Sequence, residues 1–415
     1  MSKWTIDVGY GEKLELPLEK RKSITILLGA GFSAPKGYPI GRHMNERILH
    51  FDEYDVDFTP GGELFVCSGN NNSINQFPCQ LNHHQKYFIF CKRLIKEYTI
   101  SHNGTFDYEL FYDFIKSSEA YEERYKLLCN DLLNNNESYN HYLFNILHIY
   151  NQMVAFLLKD RNGKNRYDDE PFHIGHIDVY NEFLKYISFL SRDHIVNIYT
   201  LNHDLLFESF NKTDIINGNI SDGFDEYGSN YYGKLHINNM TYHCRLERYT
   251  GRYNKPIRLF KLHGSIDYAI YYKTTNNVFM FPEKYVKIKY GVRPGDIIKS
   301  HRSKMGYDAS PFPYHADWLT GVESKTKRYN EPLLFRRLFK RFKNCLKHTE
   351  KLIILGYGGK DNGINQIILE NFDYKLKPVH IVDKYGGDKI TELTEMLNAT
   401  LHKIDIKDIK DDTFI

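Results

Sequence analysis

The sequence predicts an α/β protein in which helices cover both faces of a parallel sheet, a doubly wound arrangement. Six short runs rich in β-branched residues are bounded by Gly, Asn or Asp, which is typical of strands buried in a parallel sheet. Most of these runs are separated by segments with helical periodicity, and this alternation favours an α/β fold. The predicted strands are residues 23–28, 194–200, 257–262, 351–356, 378–383 and 401–406.

The clearest helical segment lies directly before the fourth predicted strand. Residues 331–347 repeat Leu and Phe at steps of three and four positions, with Arg and Lys between them. We interpret this segment as an amphipathic helix with a solvated basic face, rather than as a nucleic-acid contact. The net charge of the chain, +3 with 55 basic and 52 acidic residues, also excludes a basic groove spread over the whole protein.

Long insertions interrupt the alternation of strands and helices. Residues 51–190 begin with a Gly-, Asn- and Pro-rich stretch and continue with mainly helical patterns, so we predict an inserted all-helical subdomain. Residues 211–256 and 273–330 lack helical periodicity and contain many turn-forming residues, so we predict loop insertions there. The predicted division is an N-terminal extension at 1–20, a core at 21–50 plus 191–415, and a helical insertion at 51–190.

Composition and cysteine usage limit the class of protein further. No apolar run approaches the ~20 residues that cross a bilayer, and the first residues do not form a signal peptide. The six cysteines include no C-x-x-C pair, so neither a disulfide framework nor a structural zinc site is expected. We therefore expect a soluble, cytoplasmic protein without a bound metal.

The first predicted strand runs directly into a G-x-G-x-x-A motif formed by Gly29, Gly31 and Ala34. In dinucleotide-binding folds this pattern permits a tight turn, a close approach of the backbone to a pyrophosphate, and close packing of helix on strand. Ser33 adds a hydroxyl donor. The alternative is a glycine-rich turn in an ordinary strand-to-helix connection. Asp52 and Glu53 lie near the usual position of a ribose-binding acid, but a loop follows them, so a standard dehydrogenase is not predicted.

Polar or glycine-rich groups also follow four other predicted strands. Asn202 and Asp204 follow the second strand, His263 the third, residues 356–361 the fourth, and Asp383 ends the fifth. Each alone has a structural explanation as a helix cap or a turn. Because the carboxyl ends of parallel strands meet at one edge of a sheet, together they predict a cleft beside the glycine-rich turn.

In this order, the segments GAGFSAPKGYP, TLNHD, KLHGS and GYGGKD resemble the sirtuin family, in its bacterial anti-phage defence branch of sirtuin-like proteins. The resemblance covers most of the α/β core but neither the helical insertion nor the loops. It implies a Rossmann-like sirtuin core that binds NAD+ as a substrate.

The resemblance also implies roles for particular residues. Asn202 and His263 are similar to the catalytic pair of the family, and Asp204 is its supporting companion. An amide does not titrate, so Asn202 would hold the ribose or the attacking water, and His263 would act as general base. The residues expected to bind NAD+ are Gly29, Ala30, Gly31, Ser33, Pro39, Arg42, Gly264, Gly356, Tyr357, Asp361 and Asp383.

Two departures from the family pattern affect the expected activity. Ile40 and Gly41 replace an Asp and a Phe of the family's G-x-P-D-F-R segment, and Cys345 is the only cysteine after His263, so the four-cysteine zinc module of deacylases is missing. We therefore expect an NAD+ hydrolase that releases nicotinamide and ADP-ribose. The alternatives are a zinc-free protein deacylase and a non-catalytic module that senses NAD or ADP-ribose.

The resemblance to the defence branch implies partners as well. It implies depletion of NAD in abortive infection, a homo-oligomer, and a separate activator such as a HerA-type hexameric ATPase. Nucleic acid would be reached only through that partner, and no membrane contact is expected.

Overall fold

The structure, a computed structural model, describes residues 17–51, 56–58, 62–66, 81–133, 138–158, 177–237, 240–275, 279–289, 292–301, 306–310, 316–410 and 413–414. Its strands are β1 (Lys22–Leu28), β2 (Val56–Phe58), β3 (Leu64–Val66), β4 (His194–Thr200), β5 (Ile220–Ser221), β6 (Gly223–Asp225), β7 (Tyr231–Ile237), β8 (Met240–Arg245), β9 (Glu247–Arg252), β10 (Ile257–Lys261), β11 (Tyr268–Thr275), β12 (Phe279–Lys287), β13 (Ile297–Ser300), β14 (Tyr307–Ala309), β15 (Lys351–Leu355), β16 (Val379–Val382) and β17 (Thr400–His402).

Its α-helices are α1 (Ala30–Ser33), α2 (Gly41–Leu49), α3 (His83–Ser101), α4 (Tyr108–Ile115), α5 (Glu123–Lys126), α6 (Tyr139–Leu157), α7 (Asn181–Leu190), α8 (Leu206–Ser209), α9 (Glu323–Arg328), α10 (Phe335–His348), α11 (Asn362–Asn371) and α12 (Asp388–Met396). None of these described helices combines the length and the apolar character that crossing a bilayer requires.

A parallel sheet forms the centre of the fold, with its strands in the order β17-β16-β15-β1-β4-β10-β5. Apart from the short edge strand β5, this is the 3-2-1-4-5-6 order of Rossmann folds. The six strands predicted from the sequence are all members of this sheet. The predicted doubly wound α/β class is therefore confirmed.

Helices bury both faces of the central sheet, and successive side chains of each strand point to opposite faces. Leu27 and Ile354 pack on one side with Phe342 of α10. Their neighbours in sequence belong to the opposite cluster, where Ile26 packs with Phe183 of α7. Helix α10 buries its Leu and Phe positions and leaves most of its Arg and Lys exposed, so the predicted amphipathic helix is confirmed.

A second hydrophobic core lies among helices of the insertion. It contains fully buried side chains of α3 and α6, such as Phe90 and Tyr142, and Met44 and Ile48 of α2 also belong to it. Trp318, from the segment after β14, packs in the same hydrophobic cluster. Helix α7, by contrast, packs on the central sheet. Helix α2, which precedes the predicted insertion, thus packs in the core of the insertion, whereas α7, at the end of the predicted insertion, packs on the central sheet.

The prediction that residues 211–256 and 273–330 form loops is wrong for most of the described part. These segments contribute two antiparallel sheets, in the orders β11-β12-β9-β6 and β14-β13-β7-β8. Their cores are aromatic and β-branched, with Tyr231, Tyr271 and Val286 buried together. Cross-strand contacts of this kind stabilise strands in segments whose many glycines and asparagines otherwise indicate turns.

Candidate functional site

Four loops meet at the carboxyl-terminal edge of the central sheet, beside the pair β1 and β15 where the strand order reverses. They follow β1, β4, β10 and β15, and consist of residues 29–33 (the glycine loop), 201–205, 262–265 and 356–361. In open α/β sheets, ligands bind in the crevice outside this reversal. This crevice is the candidate site.

The glycine loop interlocks with the turn after β15. The N–H of Gly29 donates to Leu355 O at 3.0 Å, and the N–H of Gly31 donates to Gly356 O at 2.9 Å. A Cβ atom on Gly29 or Gly31 would come within 2.7 or 2.9 Å of backbone atoms of Gly356 or its neighbour. The sequence assigned Gly31 to the approach of a pyrophosphate, whereas the structure shows an approach of the protein's own backbone.

Gly356 is the tightest point of this contact. Its φ is +59°, and a Cβ there would lie 2.3 Å from the backbone nitrogen of Phe32. We expect Gly356→Ala to lower the free energy of unfolding by at least about 2 kcal/mol, because left-handed strain and a backbone clash act together. Gly358→Ala is the matched control, since nothing lies within 4 Å of the position that its methyl group would take. Urea unfolding of both variants measures the effect, and equal stabilities would contradict it.

Asn202 anchors the glycine loop to the loop after β4. Its Nδ2 donates to Gly29 O at 2.9 Å and to Ser33 Oγ at 3.0 Å. Asp204, which is buried next to this contact, accepts the N–H of Leu206 at 3.0 Å. Burial raises the pKa of Asp204 above its usual value, although nearby Lys261 opposes this shift. The structure thus brings together Asn202, predicted as catalytic, Ser33, predicted to bind NAD+, and Asp204, predicted as supporting.

Lys261 lies beneath this loop as a buried cation. Its side chain is 1% exposed, and Nζ lies 3.1 Å from Glu208 Oε1. The same ammonium donates to the backbone oxygen of Asp204 and, at 3.4 Å, to that of His203. It therefore fixes the course of the chain immediately after Asn202.

His263 is buried at the end of β10, with 4% of its surface exposed. Its Nε2 lies 3.4 Å from Asp361 Oδ2. Burial lowers the pKa of His263 to about 4, with the negative Asp361 opposing this shift and the positive Lys325 adding to it. The imidazole is therefore neutral at neutral pH, in the form that accepts a proton.

Gly264 sets the backbone that follows His263. Its φ is +81°, and a Cβ would lie 2.7 Å from Asp317 O and 2.8 Å from the Cα of Trp318. Gly264 and Trp318 form an isolated antiparallel bridge here, and the N–H of Leu319 donates to His263 O at 2.7 Å. Gly264 thus has a structural role in holding the histidine segment against residues 317–319.

Asp361 joins His263 to a cation that the sequence did not indicate. Asp361 caps α11 by accepting the N–H of Ile364 at 3.1 Å, and its Oδ2 lies 2.9 Å from Lys325 Nζ. Lys325 also lies 3.4 Å from Glu109 Oε1. Burial raises the pKa of Asp361, but His263 and Lys325 outweigh this effect and keep it below the usual value.

Aromatic rings and a second histidine surround His263. The ring centre of His203 lies 6.2 Å away, and Trp318 lies 5.9 Å from His203. Tyr329 lies 6.5 Å from His263 and stacks on Phe339 at 3.8 Å. Burial lowers the pKa of His203 well below its usual value. His203 could have been suggested by its place beside Asn202, whereas no local pattern marks Trp318 or Tyr329.

Two predicted binding residues, Arg42 and Asp383, have contacts within the protein, and a third, Pro39, is buried. The side chain of Arg42 is 83% exposed and lies 3.0 Å from Glu46 on the same helix. Asp383 accepts the N–H groups of Tyr385 at 3.0 Å and Gly386 at 2.7 Å, so it stabilises the turn after β16. Pro39 is buried just before α2.

The remaining predicted residues are Ala30, the first residue of α1, and Tyr357, which directly follows Gly356. Ala30 is exposed at the start of α1. Tyr357 is buried, and its hydroxyl accepts the N–H of Asp361 at 3.1 Å and lies 2.8 Å from Asn365 Oδ1. Tyr357 thereby fixes the loop that carries Asp361.

Within the described ranges, no group of three or more His, Cys, Asp or Glu is arranged to hold a metal ion. Cys345 is half-buried there. Cys67 and Cys79, and the acidic pair Asp52 and Glu53, lie outside the described residues.

Comparison with known proteins gives structural neighbours alone, since no family model and no curated protein matches the chain. One neighbour is a structure described under the structural basis for the mechanism and regulation of Sir2 enzymes. It is 13% identical, the match covers 94% of this chain and 89% of the neighbour's chain, and the TM-score is 0.33. Another is a triply substituted Sir2 homologue in complex with 2′-O-acetyl ADP ribose, 10% identical, with coverages of 95% and 91% and a TM-score of 0.35. The fold class therefore rests on the strand order and covering helices described above.

Proposed function

We propose that this protein hydrolyses NAD+ at the bond between nicotinamide and ribose. The observation that carries the proposal is the meeting of three features at one crevice: the glycine loop, Asn202 bound to it, and a buried neutral His263 facing Asp361. The order of the four motifs, which resembles that of sirtuins, supports NAD+ as the substrate. The absence of zinc-module cysteines after His263 favours water over an acyl-lysine as the acceptor.

The chemistry requires little covalent participation from the protein. The C–N bond breaks with its electron pair moving to the nicotinamide nitrogen, which is positively charged in the substrate and leaves as neutral nicotinamide. An oxocarbenium-like ribose then takes up the oxygen of a water molecule, giving ADP-ribose and one proton. His263 accepts that proton, or one from a ribose hydroxyl, and Asp361 stabilises the imidazolium that results. Asn202 keeps the glycine loop in place against the substrate.

Chromatography of NAD+ incubated with the purified protein tests the proposal. We expect equimolar nicotinamide and ADP-ribose, and loss of both products in Asn202→Ala and His263→Ala. Lys340→Ala is the control, because its side chain is exposed on α10 and belongs to none of the motifs at the crevice. Undiminished turnover in both site variants would overturn the proposal.

The same samples separate the alternative functions. With an acetylated peptide present, acetylated ADP-ribose and a deacetylated peptide would indicate a deacylase. Calorimetric binding of NAD+ or ADP-ribose without any product would indicate a sensing module. Either outcome would replace hydrolysis as the function.

We further propose a role in abortive anti-phage defence in the cytoplasm, as a homo-oligomer activated by a HerA-type hexameric ATPase. The resemblance to the defence branch supports this proposal, as does the danger that unrestrained NAD+ hydrolysis poses to a cell. Co-expression followed by size-exclusion chromatography tests the complex. Separate elution, with equal NAD+ turnover with and without the ATPase, would contradict it.

A further inference from the structure

Lys325 joins the helical insertion to the residue that faces His263. Its side chain is 7% exposed and lies between two carboxylates, Glu109 of α4 at 3.4 Å and Asp361 at 2.9 Å. Glu109 and Lys325 are 216 positions apart in sequence. A buried ammonium between carboxylates from two parts of the fold is costly unless both contacts are kept.

Helix α4 also holds the backbone from which Lys325 projects. The carboxylate of Asp113 accepts the N–H groups of Val322, Glu323 and Ser324 at 2.7, 2.8 and 3.2 Å. Gly321 has a φ of +90°, and a Cβ there would lie 2.2 Å from Asp113 Oδ1. Asp113 lies one helical turn after Glu109, so both carboxylates are on the same face of α4.

We infer that Lys325 is a positioning residue, which orients the Asp361 carboxylate and places a positive charge beside His263, and which makes this arrangement depend on the docking of α4. The helical insertion would thereby regulate the site: movement of α4 away from α9 releases Lys325 and leaves Asp361 without its cation. The activity consequences rest on the proposed function, whereas the arrangement of charges does not.

The charge balance supports this role. With both carboxylates ionised, Glu109, Lys325 and Asp361 carry one net negative charge, and protonation of His263 neutralises the group. The other groups facing His263 are the rings of His203 and Tyr329. Of the two charged neighbours of His263, Lys325 is the one that opposes protonation of the imidazole. Because the N–H of Ile364 also holds Asp361 in place, removal of Lys325 leaves the carboxylate beside His263 and is expected to raise the pKa of the imidazole.

Histidine-ring NMR of the full chain tests this inference without using NAD+. In the wild type we expect the His263 signal, assigned with His263→Gln, to keep its neutral chemical shift between about pH 5 and 8. In Lys325→Met the signal should move toward the protonated shift as the pH falls through this window, and Lys325→Arg should restore the wild-type behaviour. Lys327→Met, an exposed lysine on the same helix, is the matched control.

Kinetics of NAD+ cleavage provide the second measurement. We expect kcat to fall about 10-fold or more in Lys325→Met with little change in KM, and to recover in Lys325→Arg. Asp113→Asn should lower kcat in the same direction, because it loosens the docking of α4. If Lys325→Met does not fold, Glu109→Gln/Lys325→Met, which also removes one carboxylate charge, takes its place. An unchanged His263 titration in a folded variant would overturn the inference, whereas absent NAD+ turnover in the wild type would overturn only the proposed function.

Discussion

Replacing His263 with Gln is expected to lower NAD+ turnover by about 10²- to 10⁴-fold, the range that a positioned general base contributes. Gln fills a similar volume in this buried site and cannot take up the proton that hydrolysis releases. Its amide can still face Asp361, so the fold and the affinity for NAD+ should change little. Turnover and calorimetric NAD+ affinity, measured side by side, check both parts of this expectation.

The same substitution should change how stability depends on pH. The pKa of His263 is lowered from 6.5 to about 4 in the folded protein. Above about pH 6.5 the side chain is neutral in both the folded and the unfolded chain, so its ionisation does not change the free energy of unfolding. As the pH falls toward 4, the unfolded chain binds a proton that the folded chain does not, so stability is lost, by about 3 kcal/mol in total at roughly 1.4 kcal/mol per unit.

His263→Gln removes this contribution, so its unfolding free energy should fall less between about pH 7 and 5 than that of the wild type. Urea unfolding at both pH values measures the difference. Parallel losses of stability in the two proteins would mean that His263 is not held neutral by the fold. Wild-type turnover in the variant would exclude His263 as the general base.

Replacing Lys261 with Met is expected to cost about 3 to 5 kcal/mol of stability, the usual loss when one partner of a buried ion pair is removed. Glu208, whose pKa burial raises, would lose the ammonium that lies 3.1 Å away and would remain buried without that partner. The backbone oxygens of His203 and Asp204 would also lose their donor. Because the same stretch of chain carries Asn202, NAD+ turnover should fall with stability.

A double variant separates the charge effect from a packing effect. Lys261→Met/Glu208→Leu leaves no unpaired charge from this pair, so it should be more stable than Lys261→Met alone. Lys255→Met, at an exposed position, should unfold like the wild type. Thermal unfolding of the three variants decides, and a double variant no more stable than Lys261→Met would show that Glu208 is not the source of the loss.

The central sheet could be predicted from sequence because its strands are buried on both faces. Strands such as β4 and β15 appear as short continuous apolar runs, and that signal is local. The antiparallel sheets were missed because strands such as β7 and β9 combine aromatic residues with Gly, and their stability comes from cross-strand contacts that no local window contains.

Some residues of the candidate site could likewise be predicted from the sequence, whereas others could not. Asn202, His263 and the glycine loop lie at strand ends, where the topology of an α/β sheet makes the position of a ligand predictable. Lys325 and Glu109 meet only after the insertion has folded against the core, so neither stands out in sequence. The glycines were found through their motif, but their close contact is with Gly356, which lies far along the chain.

That contact between the glycine loop and the turn after β15 has a consequence during protein synthesis. The N–H of Gly31 meets the oxygen of Gly356, and the side chain of Thr349 donates to Ser23 O across 326 positions of sequence. The crevice therefore cannot assemble until Gly356 has been synthesised, because β1 pairs with β15 in the central sheet. A nascent or prematurely terminated chain that ends before Gly356 would hold the glycine loop, Asn202 and His263 without a closed crevice.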